Sequence, residues 1–368
     1  MSAEASPAPV LAVSRGRVIT QRLYDVAYAI DLQRARDLCA DVPLIDERPG
    51  ALAFGKPPVR LRLEPVEVKV GGAVVVGEVA AHLYEFGAVT LSVAFTVRDM
   101  DWPVFVAFAR HAEEAMGAPH ASTWQAVLER VTARIGDALE RPSASVILED
   151  YQLVVVDAFA EPPTGDLREL VDLVPLLAAD PRPLSRDTRD ALLRHHFAYR
   201  ADDCVVITRD RAFLYQPDGD AGVAAVLDVA NAQLLELRYY SVLLDAELPR
   251  MYDLVDRTRA VSPITAPARL SRLARHLYTL VAEVTELTER VDNALQVTGH
   301  PYLARVYTTT LELFGVPALG AAVDRKLAIV RDTYAALYDE AAVSRAGLLE
   351  VTIIVLIAVE LGLAVFRY

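Results

Sequence analysis

The sequence predicts an α+β protein: an N-terminal ferredoxin-like α+β domain, then a bundle or hairpin of long helices, then one hydrophobic helix at the C-terminus. Three observations predict it. Val89, Leu91, Val93, Phe95 and Val97 alternate with Thr90, Ser92, Ala94 and Thr96 as a half-buried strand requires. Leu273, Leu277, Leu280, Val284, Leu287 and Val291 recur at alternating steps of four and three, the spacing of a helix that seats one stripe on a partner. Leu348 to Phe366 is a nearly unbroken apolar run.

The first strand is read from Tyr24, Val26, Tyr28 and Ile30 over 23–30, and Asp31 is placed to cap a short helix ending near Cys39. A Pro-rich connection leads to strands over 79–86 and 88–97, separated by a bend at Gly87. Asp101-Trp102-Pro103 opens a helix. Ser122-Thr123-Trp124-Gln125 has capping-box spacing ahead of Leu128, Val131, Ile135 and Leu139. Strand character returns over 146–159, helices begin at Asp166 and Ser185, and 204–215 reads as a hairpin turning at Thr208 to Arg211. The order strand, helix, two strands, helices, strand is that of a ferredoxin-like layer.

Pro217-Asp218-Gly219-Asp220 is the sharpest turn signal and is read as a domain boundary. Beyond it the pattern is helical, with a second stripe at Val323, Leu327, Val330, Tyr334 and Leu337 after a break over 315–320. The expected organisation is a disordered N-terminus over 1–20, an α+β domain over 21–220, a helical bundle or coiled-coil-like domain over 221–345, and a C-terminal transmembrane helix over 346–368.

That last expectation rests on length. Leu348 to Phe366 would extend about 28 Å as a helix, close to the hydrocarbon thickness of a bilayer. Glu350 and Glu360 fall about 80° apart on its surface, on the side of Ile353, Ile354 and Ile357. Carboxylates within a membrane helix face a partner, so this side is expected to pack against another helix, such as that of a second copy. The corresponding localisation is a single-pass anchor with the bulk of the chain in the cytoplasm.

Composition excludes other classes. The net charge of -13 repels phosphate backbones, and nucleic acid is not expected as a direct partner. At 53% hydrophobic and 24% charged residues, the chain can bury a core. Cys39 and Cys204 have no redox or zinc spacing and are read as reduced, half-buried thiols. The first residues lack the charged and apolar regions of a secretory signal.

The sequence contains no P-loop, GxGxxG, HExxH or GxSxG pattern, and no catalytic residue, cofactor site or metal site is assigned. His195 and His196, near Asp202, Asp203 and Cys204, are the densest set of candidate ligands. Adjacent histidines on a helix point about 100° apart, which favours a solvated face. Asp245, Glu247, Asp253 and Asp256 beside Tyr239, Tyr240 and Tyr252 are read as a hydrated helix surface.

Two stretches carry a family resemblance. Asp324-Arg325-Lys326-Leu327-Ala328-Ile329-Val330-Arg331-Asp332-Thr333-Tyr334, with the run Leu348 to Glu360, resembles the end of the "required for meiotic nuclear division" family. Gln233 to Tyr240, Leu243-Leu244-Asp245 and Glu289 to Asn293 are similar to its helical half, and the hairpin from Tyr84 to Phe95 is similar to its early aromatic-glycine strand. The chain departs from it at 226–233, where a Ser-His-Ala type helix is absent, and after Leu244-Asp245, where Pro and Trp do not follow. Those departures imply a divergent, bacterial branch. The resemblance implies a membrane-associated, non-enzymatic role, connected in mitochondrial members with support of translation, and it supplies no catalytic residues.

The leading expectation is therefore a tail-anchored scaffold: a cytosolic α+β domain that binds another protein, with self-associating helices at the membrane. The alternative is a small-ligand or metal-binding sensor or enzyme, with a pocket near His195, His196 and Tyr199.

Overall fold

In a computed structural model, the described residues are 11–44, 53–54, 56–117, 121–143, 147–178, 180, 182–217, 222–259, 266–292, 295–296 and 300–366; at some of those within helices or strands only the backbone is described. They form two units. The first comprises residues 1–236 and 291–317, the second 237–290 and 318–368.

The α+β class holds for the first unit, and its sheet is larger than a ferredoxin-like layer. Strands β1 (Ala12–Asp25), β2 (Ala27–Ile30), β3 (Ala53–Phe54), β4 (Val59–Val70), β5 (Ala73–Leu83) and β6 (Ala88–Asp101) precede helices α2 (Trp102–Met116) and α3 (Ala121–Arg134); α1 (Leu32–Leu38) lies between β2 and β3. Then follow β7 (Leu139–Pro142), β8 (Leu148–Phe159), the short helices α4 (Leu167–Leu170), α5 (Val174–Leu177) and α6 (Arg186–Leu192), and strands β9 (His196–Phe197), β10 (Cys204–Ile207) and β11 (Arg211–Tyr215). Eight strands form one sheet in the order β4-β5-β6-β1-β8-β11-β10-β9, antiparallel except for the β8 and β11 pair.

The expectation that 1–20 is disordered is corrected for the described part. β1 begins at Ala12 and lies in the middle of the sheet, with Val18 opposite Phe95 on one side and Val154 on the other. Val13 and Val18 are fully buried. Arg15, Gly16 and Arg17 interrupt the apolar alternation, which conceals the strand in the sequence.

Each face of the sheet is covered. On one, Val18, Val93, Phe95, Val154 and Phe213 meet α2 and α3, where Trp102 lies 5.9 Å from the Phe213 ring and Trp124 is buried. The other face meets the start of α7 (Val223–Arg259) and α9 (Pro301–Phe314), with Tyr151 of β8 5.7 Å from Phe314. Gly87 makes the β5 to β6 turn at φ +96°, and a Cβ there would lie 1.8 Å from the Ala27 carbonyl oxygen, so glycine is required by both backbone and space.

The domain boundary expected at residue 220 is moved. Val223 to Glu236 of α7 belong to the first unit, because Val223, Val226, Leu227, Ala230, Leu234 and Leu235 are buried there. Residues 291–317, with β12 (Leu295–Gln296) paired to β3, also return to it. Asp218, Gly219 and Asp220 lie outside the described residues.

The second unit is helical: the remainder of α7, α8 (Ala266–Asp292) and most of α10 (Val316–Phe366). Leu273, Leu277, Leu280 and Val284 are buried on α8, as are Val323, Leu327, Val330 and Leu337 on α10 and Leu244 and Met251 on α7. The side chains of Leu287 and Val291 lie outside the described ones. The Tyr278 ring lies tilted 5.8 Å from that of Tyr334, and Lys326 Nζ donates to Ser241 and pairs with Asp245 at 2.7 Å, so α10 contacts both α8 and α7. The break expected over 315–320 contracts to Gly315, a left-handed cap at φ 76°; α10 then runs on through Gly320.

The transmembrane anchor over 346–368 is corrected. Among the described residues no helix is long and apolar enough to cross a membrane. Glu350 and Glu360 interrupt the apolar sequence there and leave nine residues between them, and Glu360 is exposed. At about 1.5 Å per residue those nine residues cover about 14 Å of the roughly 30 Å required. Ile353, Ile354 and Ile357 are each more than half exposed, and the Glu350 side chain lies outside the described ones. The membrane as partner, the single-pass localisation, the tail-anchored function and the self-association derived from membrane packing fall with the anchor.

Candidate functional site

Two polar arrangements stand out in the first unit, one internal and one open. The internal one is built where α7 crosses the sheet. His82 is the penultimate residue of β5 and Tyr84 follows that strand directly, so the hairpin register places both beside the second turn of α7, which carries Asp228. The His82 Nδ1 to Asp228 Oδ2 distance is 2.5 Å, and the Tyr84 hydroxyl donates to the same oxygen at 2.6 Å. Asp228 is only 3% exposed, and its Oδ1 has no hydrogen-bond partner among the described residues.

Burial alone would push the Asp228 carboxyl up. The His82 ring, the two hydrogen bonds and the charge of Arg60 outweigh it and hold the carboxyl below its ordinary value. Burial, together with the charge of Asp228, pushes the Tyr84 phenol well above its ordinary value. The arrangement thus keeps Asp228 ionised and Tyr84 protonated, in an interior where a charge without partners is costly. Its chemistry is that of a lock between helix and sheet.

The open arrangement is a groove of about 380 Å³ on the opposite face of the sheet, between α2, α5 and the chain that leads into α6. Its apolar wall includes Val106, Val174, Pro175 and Leu184, and its charged groups are Arg110, Arg182, Arg189, Asp172 and Asp180. Asp172 Oδ1 accepts from the Val174 amide at 3.1 Å and from Arg189 Nη2 at 2.9 Å. Asp180 accepts from the Arg182 amide and, through both oxygens, from its guanidinium, which lowers the carboxyl.

The walls are held from beneath by Arg211 of β11, which is 4% exposed. It donates through Nη1 to the Ala178 carbonyl at 2.8 Å, at the end of α5, and through Nη2 to Glu113 of α2 at 2.6 Å. Gln152 of β8 adds a hydrogen bond to the Ala109 carbonyl at 3.0 Å.

The sequence-derived candidates lie elsewhere. His195 follows α6 and His196 begins the edge strand β9, so neither sits in the amphipathic helix expected for them. His196 and Tyr199 are exposed, and the Tyr199 ring lies tilted 5.0 Å from His300 and 5.3 Å from Tyr302. Among the described residues no group of His, Cys, Asp or Glu could hold a metal ion. The Cys204 thiol is buried and pushed up to about 12 by that burial. Sequence reading missed Asp228, because one carboxylate in a helical pattern reads as a solvated position, and its partners lie about 145 residues away.

Comparison with known proteins bears on the first unit. No solved structure matches the chain. "Uncharacterized protein MJ0711" of Methanocaldococcus jannaschii is 22% identical over 230 residues, which cover 62% of this chain and 70% of that protein. The family model described as "Uncharacterized protein MJ0711, N-terminal domain" matches residues 15–221, from the central strand β1 to the approach to α7 and including every residue of the groove. Those residues do not include Asp324 to Tyr334 or Leu348 to Glu360, which carry the resemblance to the meiotic nuclear division family. With more than half of its length matched, the chain belongs to the family of the MJ0711 N-terminal domain.

Proposed function

We propose that the protein is a binding protein rather than an enzyme, and that its ligand sits in the groove beside α2. One observation carries this reading. Both carboxylates of the groove are held by structural hydrogen bonds, Asp172 to Val174 and Arg189, and Asp180 to Arg182. Neither is placed as a general acid, and the described lining includes no Cys, Ser, Lys or His to act as a nucleophile or base. The volume suits a small molecule, and the lining offers it both apolar and charged groups. The kinship with the meiotic nuclear division family is proposed for the C-terminal half alone, on 324–334 and 348–360.

The test is methyl NMR of the full chain against a fragment library, repeated with Ala107→Trp, which fills the groove from α2. Binders are expected to shift the Val106, Val174 and Leu184 methyls and to lose affinity in the variant. Binders that shift other residues and ignore the variant, or bound fragments that are turned over, would overturn the reading.

A further inference from the structure

We infer that the groove selects a small organic monoanion with an apolar body, a carboxylate on a short hydrocarbon, and that Arg110 is the residue that reads its charge. This rests on the groove being a binding site. Three guanidiniums face two carboxylates in the lining, which leaves one positive charge over.

The pairing identifies which one. Arg182 is bound through its Nε and Nη2 to Asp180, and Arg189 donates to Asp172 at 2.9 Å. Arg110 has one ionic contact among the described residues, to Glu114 one turn along α2, at 3.8 Å and with both side chains about half exposed. That distance is too long for a hydrogen bond, and an exposed pair of this kind is weak. The Arg110 guanidinium therefore has its donor fork available, and a carboxylate matches that fork with two parallel bonds.

Beside it, Val106 stands one turn back on the same helix, and Val174, Pro175 and Leu184 form the facing wall. A charged head at Arg110 and a hydrocarbon on this wall satisfy both halves of the lining. A cation or a multiply charged anion leaves the apolar half or the charge balance unsatisfied. Arg211 acts at one remove, since it ties α2 to the end of α5 and so fixes the spacing between head and wall.

The experiment uses hexanoate, hexanol and hexylammonium as probes, with dissociation constants from methyl shifts of Val106, Val174 and Leu184 in the full chain. Hexanoate is expected to bind with a Kd of roughly 0.1–1 mM and at least about tenfold more tightly than hexanol. Arg110→Gln is expected to close that gap, Arg110→Lys to close it partly, and the exposed Arg186→Gln to leave it unchanged. If hexanol and hexanoate bind equally, or hexylammonium binds best, the inference is overturned while the groove stands as a binding site. If none of the three shifts these methyls, this inference and the proposed site both fail. A gap that persists in Arg110→Gln assigns the charge recognition to another residue and refutes the role given to Arg110.

Discussion

Replacing Asp228 with Ala tests the lock between α7 and the sheet. The change removes the acceptor of the Tyr84 hydroxyl at 2.6 Å and of the His82 ring at 2.5 Å, and leaves a fully enclosed phenol and a mostly buried imidazole without that partner. Each hydrogen bond to a charged group contributes about 1.5–3 kcal/mol, and breaking a buried charged contact typically costs about 3–5 kcal/mol. A loss of about 3–5 kcal/mol in the stability of the first unit is expected, which for a domain of this size lowers Tm by roughly 6–20 °C. Both tryptophans, Trp102 and Trp124, lie in the first unit, so their fluorescence during urea unfolding reads that unit directly. Asp228→Asn keeps an acceptor for Tyr84 and is expected to cost about half as much. A loss below about 1 kcal/mol in the Ala variant, or equal losses in both variants, would refute the lock.

Four further outcomes follow from the same geometry. Because the Asp228 carboxyl is depressed in the folded state, its contribution is present above the unfolded carboxylate value of about 4 and is lost as pH falls through the lower folded value; Asp228→Asn should flatten that acid limb of stability against pH. Tyr84 and Tyr151 are pushed well above the ordinary phenol value by burial, so stability should fall as pH rises past about 10, and two tyrosines should ionise at 295 nm only on unfolding. Cys39 and Cys204 are both buried and both thiols are pushed up, so Ellman's reagent should find no fast thiol in the folded chain and two in urea. Arg211→Ala should cost about 2–4 kcal/mol and weaken hexanoate binding, whereas Arg110→Gln should weaken binding with stability unchanged within about 0.5 kcal/mol.

Local signals in the sequence are specific where a single residue type answers a single backbone need. Asp31 accepts from the Gln33 and Arg34 amides, and Ser185 accepts from Thr188, as their capping positions require. The β5 to β6 and β10 to β11 hairpins follow from alternation bounded by turn residues. Strand β4 is legible, since Val59, Leu61, Leu63, Val66, Val68 and Val70 alternate with Arg60, Arg62, Glu67 and Lys69, with a break only at Glu64-Pro65 where the register shifts; reading this stretch as part of a Pro-rich connection conceals it, and its charged residues guard the edge of the sheet. The parallel contact of β8 with β11 depends on a long crossover, for which no local signal exists.

The site was less legible than the fold for a related reason. The groove draws on residues from Pro103 to Arg189, and the lock joins His82 to Asp228, so both arise from topology and neither from a motif. The apolar C-terminal run points toward a membrane in the sequence because hydropathy is a strong signal that carries no information on the packing around it. The buried charges of α7, Asp228 and Glu236, look in sequence like the polar side of a surface helix.

A crystal structure of the full chain grown with hexanoate shows directly what the groove binds and through which residue. The carboxylate is expected within hydrogen-bond distance of the Arg110 guanidinium, and the hydrocarbon against Val106, Val174 and Leu184. An empty groove with hexanoate bound elsewhere, or hexanoate in the groove with its carboxylate turned to solvent, would contradict that assignment.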